Sequence, residues 1–332
     1  MDQSNSTGMN YFDMVRHRNG PDALTKAFLQ IEKQDRVRML KIINNPNLSF
    51  TSLYLLKKQL TSSRYITQMS VRNQYAIKIC EAIEKKIPSS TRNLISSSNP
   101  NEFNATLRWM VETGSADDGL SNKFDEVMDT ATSYLTKLYQ DPSLLPVTAA
   151  MIFKRCREGR FYHDLVWAFF ESRNPLSLAL IASYLCSTLW DEAELARKLL
   201  SFIPCIVSGL SMDCQTQYLR CLEWLKENTP FMRYTGESFQ QSYNPAPYTV
   251  CLEAKYMCNP NLTNPEKELN GLSPAEAALL RSFKQLDQNS QIRLSDYSYL
   301  LYRNNIQHWY WWRSLPIDEQ IKAANKTMGG FR

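Results

Sequence analysis

Residues 165–185 read Leu-Val-Trp-Ala-Phe-Phe-Glu-Ser-Arg-Asn-Pro-Leu-Ser-Leu-Ala-Leu-Ile-Ala-Ser-Tyr-Leu. The Asn174-Pro175 step divides this stretch, because the residue before a proline is pushed out of the α region while proline itself suits the first turn of a helix. The two flanking runs, 165–170 and 178–185, are apolar on nearly every side of a helix. Such helices must pack against neighbours on several sides, so the pattern predicts interior helices of an all-α fold.

The same helical pattern extends outward over residues 124–228, where helices of about 12–18 residues follow one another with short breaks. In helix size and spacing this stretch resembles helical-repeat proteins. The resemblance implies antiparallel helix pairs stacked as in a HEAT or armadillo-like α-solenoid. A large irregular helical bundle is the alternative, because no repeat consensus can be aligned.

Composition shifts along the chain predict its organisation. Serine and proline dominate one internal stretch, and the helical pattern is lost over residues 231–271, which contain four prolines. The predicted regions are a flexible N-terminal arm (1–20), a basic helical region (21–87), a Ser-rich loop or linker (88–100), the helical-repeat core (101–228), an irregular Pro/Asn/Tyr-rich segment (229–271) and C-terminal helices with an aromatic cluster (272–332).

Basic residues concentrate towards the N-terminus. The whole chain holds 38 Lys and Arg against 33 Asp and Glu, and residues 1–113 alone hold 16 against nine. Part of this excess is Lys33, Arg36, Arg38 and Lys41, on or beside the polar side of a predicted helix. A solvated helical surface explains such a pattern, and a surface that meets nucleic acid, acidic lipid or an acidic partner is the alternative.

A second basic run contains Lys154, Arg155, Arg157 and Arg160 at a predicted helix end. Cations in a last turn oppose the helix dipole, which is a structural reason for their presence. Aromatic residues follow at once in Phe161-Tyr162-His163, and cations interleaved with rings are typical of single-stranded nucleic-acid grooves. The run is therefore a candidate anion or nucleic-acid site, with an acidic protein partner as a further alternative.

The densest aromatic cluster is Trp309, Tyr310, Trp311, Trp312 and Arg313. Three tryptophans in four residues create an apolar patch if all face water, so they either pack onto the helical body or face a partner. Trp, Tyr and Arg concentrate binding energy at interfaces, which makes these five residues the candidate partner-binding site. Stacking on nucleic-acid bases is a third interpretation.

Motifs of catalysis and cofactor binding are missing from the sequence. The chain has three histidines, far apart, and its glycines form no phosphate-binding loop. Cys214 with Cys221 and Cys251 with Cys258 share a seven-residue spacing, but about 10 Å along a helix is too far for one zinc ion. We therefore expect no enzyme activity, no catalytic residues, no metal, no cofactor and no small-molecule substrate.

No window approaches 18 consecutive apolar residues, and the first residues lack a signal-peptide pattern. The expectation is an intracellular, cytoplasmic protein with reduced cysteines and no membrane span; a nuclear location stays open. The predicted function is a non-catalytic scaffold or adaptor that binds a protein partner or itself. The alternative is a nucleic-acid-binding, nucleocapsid-like packaging or assembly protein that self-associates through its terminal extensions.

Overall fold

A computed structural model describes residues 8–61, 63–85, 99–207, 212–238, 244–264 and 272–328. Helices predominate throughout these ranges, and the strands within them form one two-stranded antiparallel ladder. The predicted all-α class is confirmed. The chain divides into two compact units, Met1–Asn174 (unit 1) and Pro175–Arg332 (unit 2), so the boundary falls inside the range 101–228 that the sequence treats as one core.

Unit 1 is built of eleven α-helices over its described residues, with 3₁₀ turns at Ser115–Asp117 and Pro142–Leu144. They are α1 (Tyr11–Asn19), α2 (Pro21–Gln34), α3 (Arg36–Ile43), α4 (Phe50–Leu55), α5 (Lys57–Leu60), α6 (Ser63–Ile66), α7 (Val71–Glu84), α8 (Pro100–Gly114), α9 (Asn122–Lys137), α10 (Leu145–Arg157) and α11 (His163–Glu171).

The predicted arm, 1–20, contains helix α1 rather than an extended tail; residues 1–7 lie outside the described ranges. Asn10 caps α1 by accepting a hydrogen bond from the Phe12 N–H, and Phe12 is fully buried. The buried Asp13 carboxylate accepts hydrogen bonds from the Ser49 N–H (2.9 Å) and the Ser52 hydroxyl (2.5 Å). These long-range bonds, which local periodicity does not reveal, fix α1 to the start of α4.

Capping residues set two helix boundaries in unit 1. The Asp35 side chain accepts from the Arg38 N–H and separates α2 from α3 within the predicted basic helical region. Asn99 caps α8, with Pro100 as its first residue. Most of the predicted linker, residues 88–98, lies outside the described ranges.

The core of unit 1 forms where α8 and α9 pack on α4. The rings of Phe50 and Phe124 stack with centroids 5.6 Å apart, and Trp109 meets Phe50 edge-on. Gly114 of α8 faces α9 and α4, since a Cβ there would come within 2.9 Å of the Met128 sulfur and 3.0 Å of the Phe50 ring. A side chain at position 114 would therefore require the Met128 or Phe50 side chain to move.

Unit 2 continues with α12 (Leu178–Ala182), α13 (Trp190–Leu199), α14 (Pro204–Val207), α15 (Cys214–Asn228), α16 (Leu252–Tyr256), α17 (Pro274–Lys284), α18 (Gln288–Asn304), α19 (Ile306–Arg313) and α20 (Ile317–Met328). Strands β1 (Met232–Tyr234) and β2 (Tyr248–Val250) pair antiparallel, with Arg233 opposite Thr249. Four 3₁₀ turns, Pro175–Ser177, Ser183–Cys186, Thr229–Phe231 and Pro260–Thr263, connect these elements.

The described parts of the predicted irregular segment, 229–271, hold β1, β2 and α16, and they supply core residues. Tyr256 of α16 is fully buried and stacks on Phe283 with centroids 4.2 Å apart. Phe231 and Leu262 join the same apolar cluster as α17–α20. The prediction that the whole segment is irregular is therefore corrected for its described residues. Strands and helices as short as these show no hydrophobic period in the sequence. Residues 239–243 and 265–271 lie outside the described ranges.

Candidate protein-interaction site

Helix α19 carries the aromatic cluster that the sequence singles out. Its N-terminus is fixed by Asn305, whose side chain accepts a hydrogen bond from the His308 N–H at 3.0 Å. The Asn305 N–H in turn donates to the Leu301 carbonyl of α18 at 2.7 Å. Helix α19 thus begins directly at the end of α18, in a fixed orientation.

Trp309 and Trp312 face inward. They are three residues apart and so share one helix face, and they are 4% and 0% exposed. The Trp309 indole N–H donates to the Ser298 hydroxyl at 2.8 Å, and that of Trp312 donates to the Gln320 carbonyl at 3.3 Å. Both rings belong to the unit 2 core, so neither is available to a partner, which corrects their assignment as binding residues.

Tyr310 and Trp311 lie on the opposite side of α19 and are 58% and 57% exposed. Ile306 and Tyr302 add exposed apolar surface nearby in the sequence, at 44% and 39%. Tyr302 of α18 and Ile306, Tyr310 and Trp311 of α19 are thus all exposed. The two buried tryptophans hold α19 in place, so Tyr310 and Trp311 are presented from a rigid helix.

Arg313 is the last residue of α19. Its guanidinium lies over the Trp309 ring, 4.5 Å from the centroid, and its Nη2 is 3.3 Å from a Glu276 carboxylate oxygen. Tyr310 and Arg313 line one wall of a groove of about 760 Å³, and α17 supplies the other through Ala275, Ala278 and Leu279. The groove gives an incoming side chain an apolar surface beside Tyr310.

The basic run 154–160 has a different environment from the one predicted. Arg155 is 1% exposed, and its guanidinium binds Asp118 at 2.6 Å and Asp129 at 2.8 Å. Arg160 binds both Asp118 and Asp125 at 2.7 Å. Arg155 is therefore inaccessible to an external anion, and Arg160 is already neutralised, which corrects the prediction of an anion site for these two residues.

The other two residues of the run, Lys154 and Arg157, have different environments. The Lys154 ammonium donates to the Asp118 carbonyl at 2.8 Å, so it helps to anchor the turn before α9. Arg157 is exposed. Lys154, Arg155 and Arg160 thus hold the 115–125 region to the end of α10.

Carboxylates outnumber cations around Arg155. A cavity of about 590 Å³ is lined by Asp125, Glu126, Asp129 and Asp164 together with Arg155 and Arg160. Burial raises the pKa of Asp129 to about 6 against the lowering effect of Arg155. Burial also opposes ionisation of Asp118, yet hydrogen bonds from Arg155 and Arg160 hold its pKa below the usual value. Carboxylates therefore outnumber cations around the run 154–160, which the sequence predicts to be a basic surface.

The four predicted N-terminal cations lie at the surface of unit 1. Lys33, Arg36, Arg38 and Lys41 are all exposed, on α2 and α3. The Arg36 guanidinium lies over the Tyr65 ring, 5.0 Å from its centroid. Nucleic-acid binding stays a prediction that rests on these four residues.

Within the described ranges, no group of three or more His, Cys, Asp or Glu side chains is arranged to hold a metal ion. Over the same residues, no helix has the length and apolarity needed to cross a membrane. All eight cysteines are free. Cys251 and Cys258 contact different groups, the Leu262 carbonyl and the Ser298 hydroxyl respectively.

Sequence reasoning missed the pairing of Arg155 with Asp118, whose positions differ by 37. It also left open which aromatic side chains face outward, although the three-residue spacing of Trp309 and Trp312 was a usable signal.

In comparisons with known proteins, no family model, no curated protein and no solved structure matches this chain.

Proposed function

We propose that this chain is a non-catalytic scaffold or adaptor that binds another protein, or a second copy of itself, through Tyr310 and Trp311. The observation that carries the proposal is the division of α19: two tryptophans are buried in the unit 2 core, while the adjacent Tyr310 and Trp311 remain more than half exposed. Within this proposal the helices form a HEAT or armadillo-like stack, and the protein acts inside the cell.

Energetic reasons favour these two residues as anchors. Aromatic side chains supply most of the binding energy at many interfaces when they enter a partner's pocket. Ordering a flexible side chain costs roughly 0.5–1.5 kcal/mol on binding. That cost is small for a two-torsion ring on a fixed helix, and α19 is fixed by the Trp309 and Trp312 hydrogen bonds. The adjoining groove beside Tyr310 offers room for a partner side chain.

The proposal predicts position-specific cross-linking. A photo-reactive phenylalanine analogue placed at position 311 of the full chain should, on irradiation in a lysate of cells that make the protein, give one discrete adduct band. The matched control is the same residue at Trp190, which is 72% exposed in the same unit. We expect far less adduct there, because the proposal places the partner against α19 and not against the start of α13.

Adding Tyr310→Ser to the position 311 variant should reduce the adduct, because both rings contact the partner in this proposal. An adduct of twice the chain mass assigns the site to self-association, and any other mass assigns it to a different protein. Equal adduct yields at positions 311 and 190, or no loss with Tyr310→Ser, would contradict the proposal.

A second candidate function, nucleic-acid binding or packaging, is supported by the exposure of Lys33, Arg36, Arg38 and Lys41. If these cations bind phosphates, affinity for single-stranded RNA should fall with salt, because each contact releases a counterion with a log–log slope of about −0.7. Charge reversal at Lys33 and Arg38 should reduce that slope, as measured by fluorescence anisotropy. RNA binding that is absent at low salt would remove this candidate.

A further inference from the structure

Residues 33–41, where α2 ends and α3 begins, form a basic surface that we call the α2–α3 junction. Asp35 bends the chain there, with φ −151° and ψ 89°, and its side chain caps α3. Val37, the second residue of α3, is 65% exposed. Cations lie one and four positions away from it on either side, and all are exposed: Lys33, Arg36, Arg38 and Lys41. The junction therefore presents an aliphatic side chain among four positive charges.

Contacts with the core of unit 1 hold the junction in place. Tyr65 is 1% exposed, and its ring meets the buried Phe28 of α2 edge-on with centroids 6.5 Å apart. The Tyr65 hydroxyl donates to the Glu32 carboxylate, and the Arg36 guanidinium lies over the same ring. One buried tyrosine thus contacts residues on both sides of the bend, so Val37 is presented from a fixed backbone.

Positive charge at the junction is not neutralised locally. Residues 32–41 contain four cations and two carboxylates, Glu32 and Asp35, and both carboxylates already accept hydrogen bonds. Among the residues that the structure describes, no carboxylate forms an ion pair with Lys33, Arg38 or Lys41. The run 154–160 differs, because its buried and half-buried arginines are paired with aspartates. The junction is therefore able to attract an anionic partner.

The outward face of α2 has the same composition. Leu29 is 48% exposed, and Lys26 and Lys33 lie three residues before it and four residues after it, so the three side chains share a helix face. Asp22 is the carboxylate of that face, one turn before Lys26. An exposed aliphatic side chain between cations thus occurs on both helices.

This combination fits the surface of an anionic bilayer better than it fits other anionic partners. Proteins that bind single strands of nucleic acid stack bases on exposed rings, but the one aromatic residue in 21–43 is Phe28, which is fully buried. Neither of the two grooves described above is lined by residues of α2 or α3. Anionic headgroups attract lysine and arginine, while aliphatic side chains enter the boundary between headgroups and acyl chains.

We propose that the α2–α3 junction binds the surface of a bilayer that contains anionic phospholipid, with Val37 in the headgroup layer and the four cations against the lipid charges. The contact is peripheral and reversible, because one aliphatic side chain and four cations hold a protein at a membrane surface only weakly. This inference goes beyond the scaffold function and does not depend on it.

Co-sedimentation of the full chain with lipid vesicles tests the proposal. We expect binding to vesicles of equal parts phosphatidylserine and phosphatidylcholine that weakens as salt rises, and little binding to phosphatidylcholine alone. A cation near an anionic surface contributes about fivefold in affinity, so Lys33→Glu with Arg38→Glu should weaken binding at least about 25-fold. The matched control is Lys78→Glu with Lys123→Glu, which makes the same change of net charge at exposed positions of unit 1 outside the junction. It should keep most of the binding.

A second variant separates lipid from nucleic acid. Val37→Ser leaves the charge unchanged and should weaken vesicle binding about tenfold, because an aliphatic side chain no longer enters the headgroup layer. Its effect on binding to single-stranded RNA should be negligible. Leu138→Ser is the matched control, a 54% exposed leucine of unit 1 outside the junction, and it should bind vesicles normally.

Three results would overturn the proposal. The first is equal binding to the two kinds of vesicle, or binding to neither. The second is a loss as large in a control variant as in the corresponding junction variant. The third is vesicle binding that Val37→Ser leaves unchanged while Lys33→Glu with Arg38→Glu abolishes RNA binding, which would assign the junction to nucleic acid instead.

Discussion

An Arg155→Ala variant is expected to lose about 3–5 kcal/mol of the free energy of unfolding of unit 1, the range seen when one member of a buried ion pair is removed. Arg155 is 1% exposed and holds Asp118 and Asp129 at the end of α10. Its removal takes away the ion pair of Asp129 and leaves Asp118 paired with Arg160. Urea denaturation followed by circular dichroism measures the loss.

Arg157→Ala is the matched control, because Arg157 is a nearby arginine in the same run and is exposed. Exposed ion pairs contribute at most about 1 kcal/mol, so this variant should unfold close to the unmodified protein. Equal losses for the two variants would show that the buried network around Arg155 does not determine the stability of unit 1.

A Trp312→Ala variant is expected to destabilise unit 2 by about 3–5 kcal/mol, as for other tryptophans removed from protein cores. Trp312 is 0% exposed, and its ring meets Tyr297 and Tyr256 edge-on at 5.4 and 6.0 Å. Alanine leaves a cavity between these rings and removes the hydrogen bond from the Trp312 indole to the Gln320 carbonyl. Chemical denaturation followed by circular dichroism is again the measurement.

The neighbouring variant Trp311→Ala separates folding from binding. Trp311 is 57% exposed, so its loss should change stability by no more than about 0.5 kcal/mol. A large loss of stability in Trp311→Ala would show that this ring packs into the fold, which would remove the main support for the proposed interaction site.

Local signals in the sequence predicted much of the helical structure. Ser273 and Glu276, which have the spacing of a capping box in the sequence, form one at the start of α17, with Pro274 as its first residue. The stop near Asn174-Pro175 coincides with the end of unit 1. These features depend on residues a few positions apart, which is why a single sequence suffices to find them.

The environment of the candidate sites could not be predicted in the same way. Arg155 appears basic and available in the sequence, yet its partners Asp118 and Asp129 come from residues 37 and 26 positions away. Contacts between elements depend on how helices pack, and local periodicity carries no information about them.

Helix α19 has Trp309 and Trp312 on its buried face and Tyr310 and Trp311 on its exposed face. This arrangement limits which changes of sequence the helix tolerates. Each residue turns a helix by about 100°, so one inserted or deleted residue at the start of α19 would rotate Trp309 and Trp312 out of the core. Point substitution at Tyr310 and Trp311 leaves both buried rings in place. The outer pair can therefore vary in sequence without disturbing the core, while the length of the helix stays fixed.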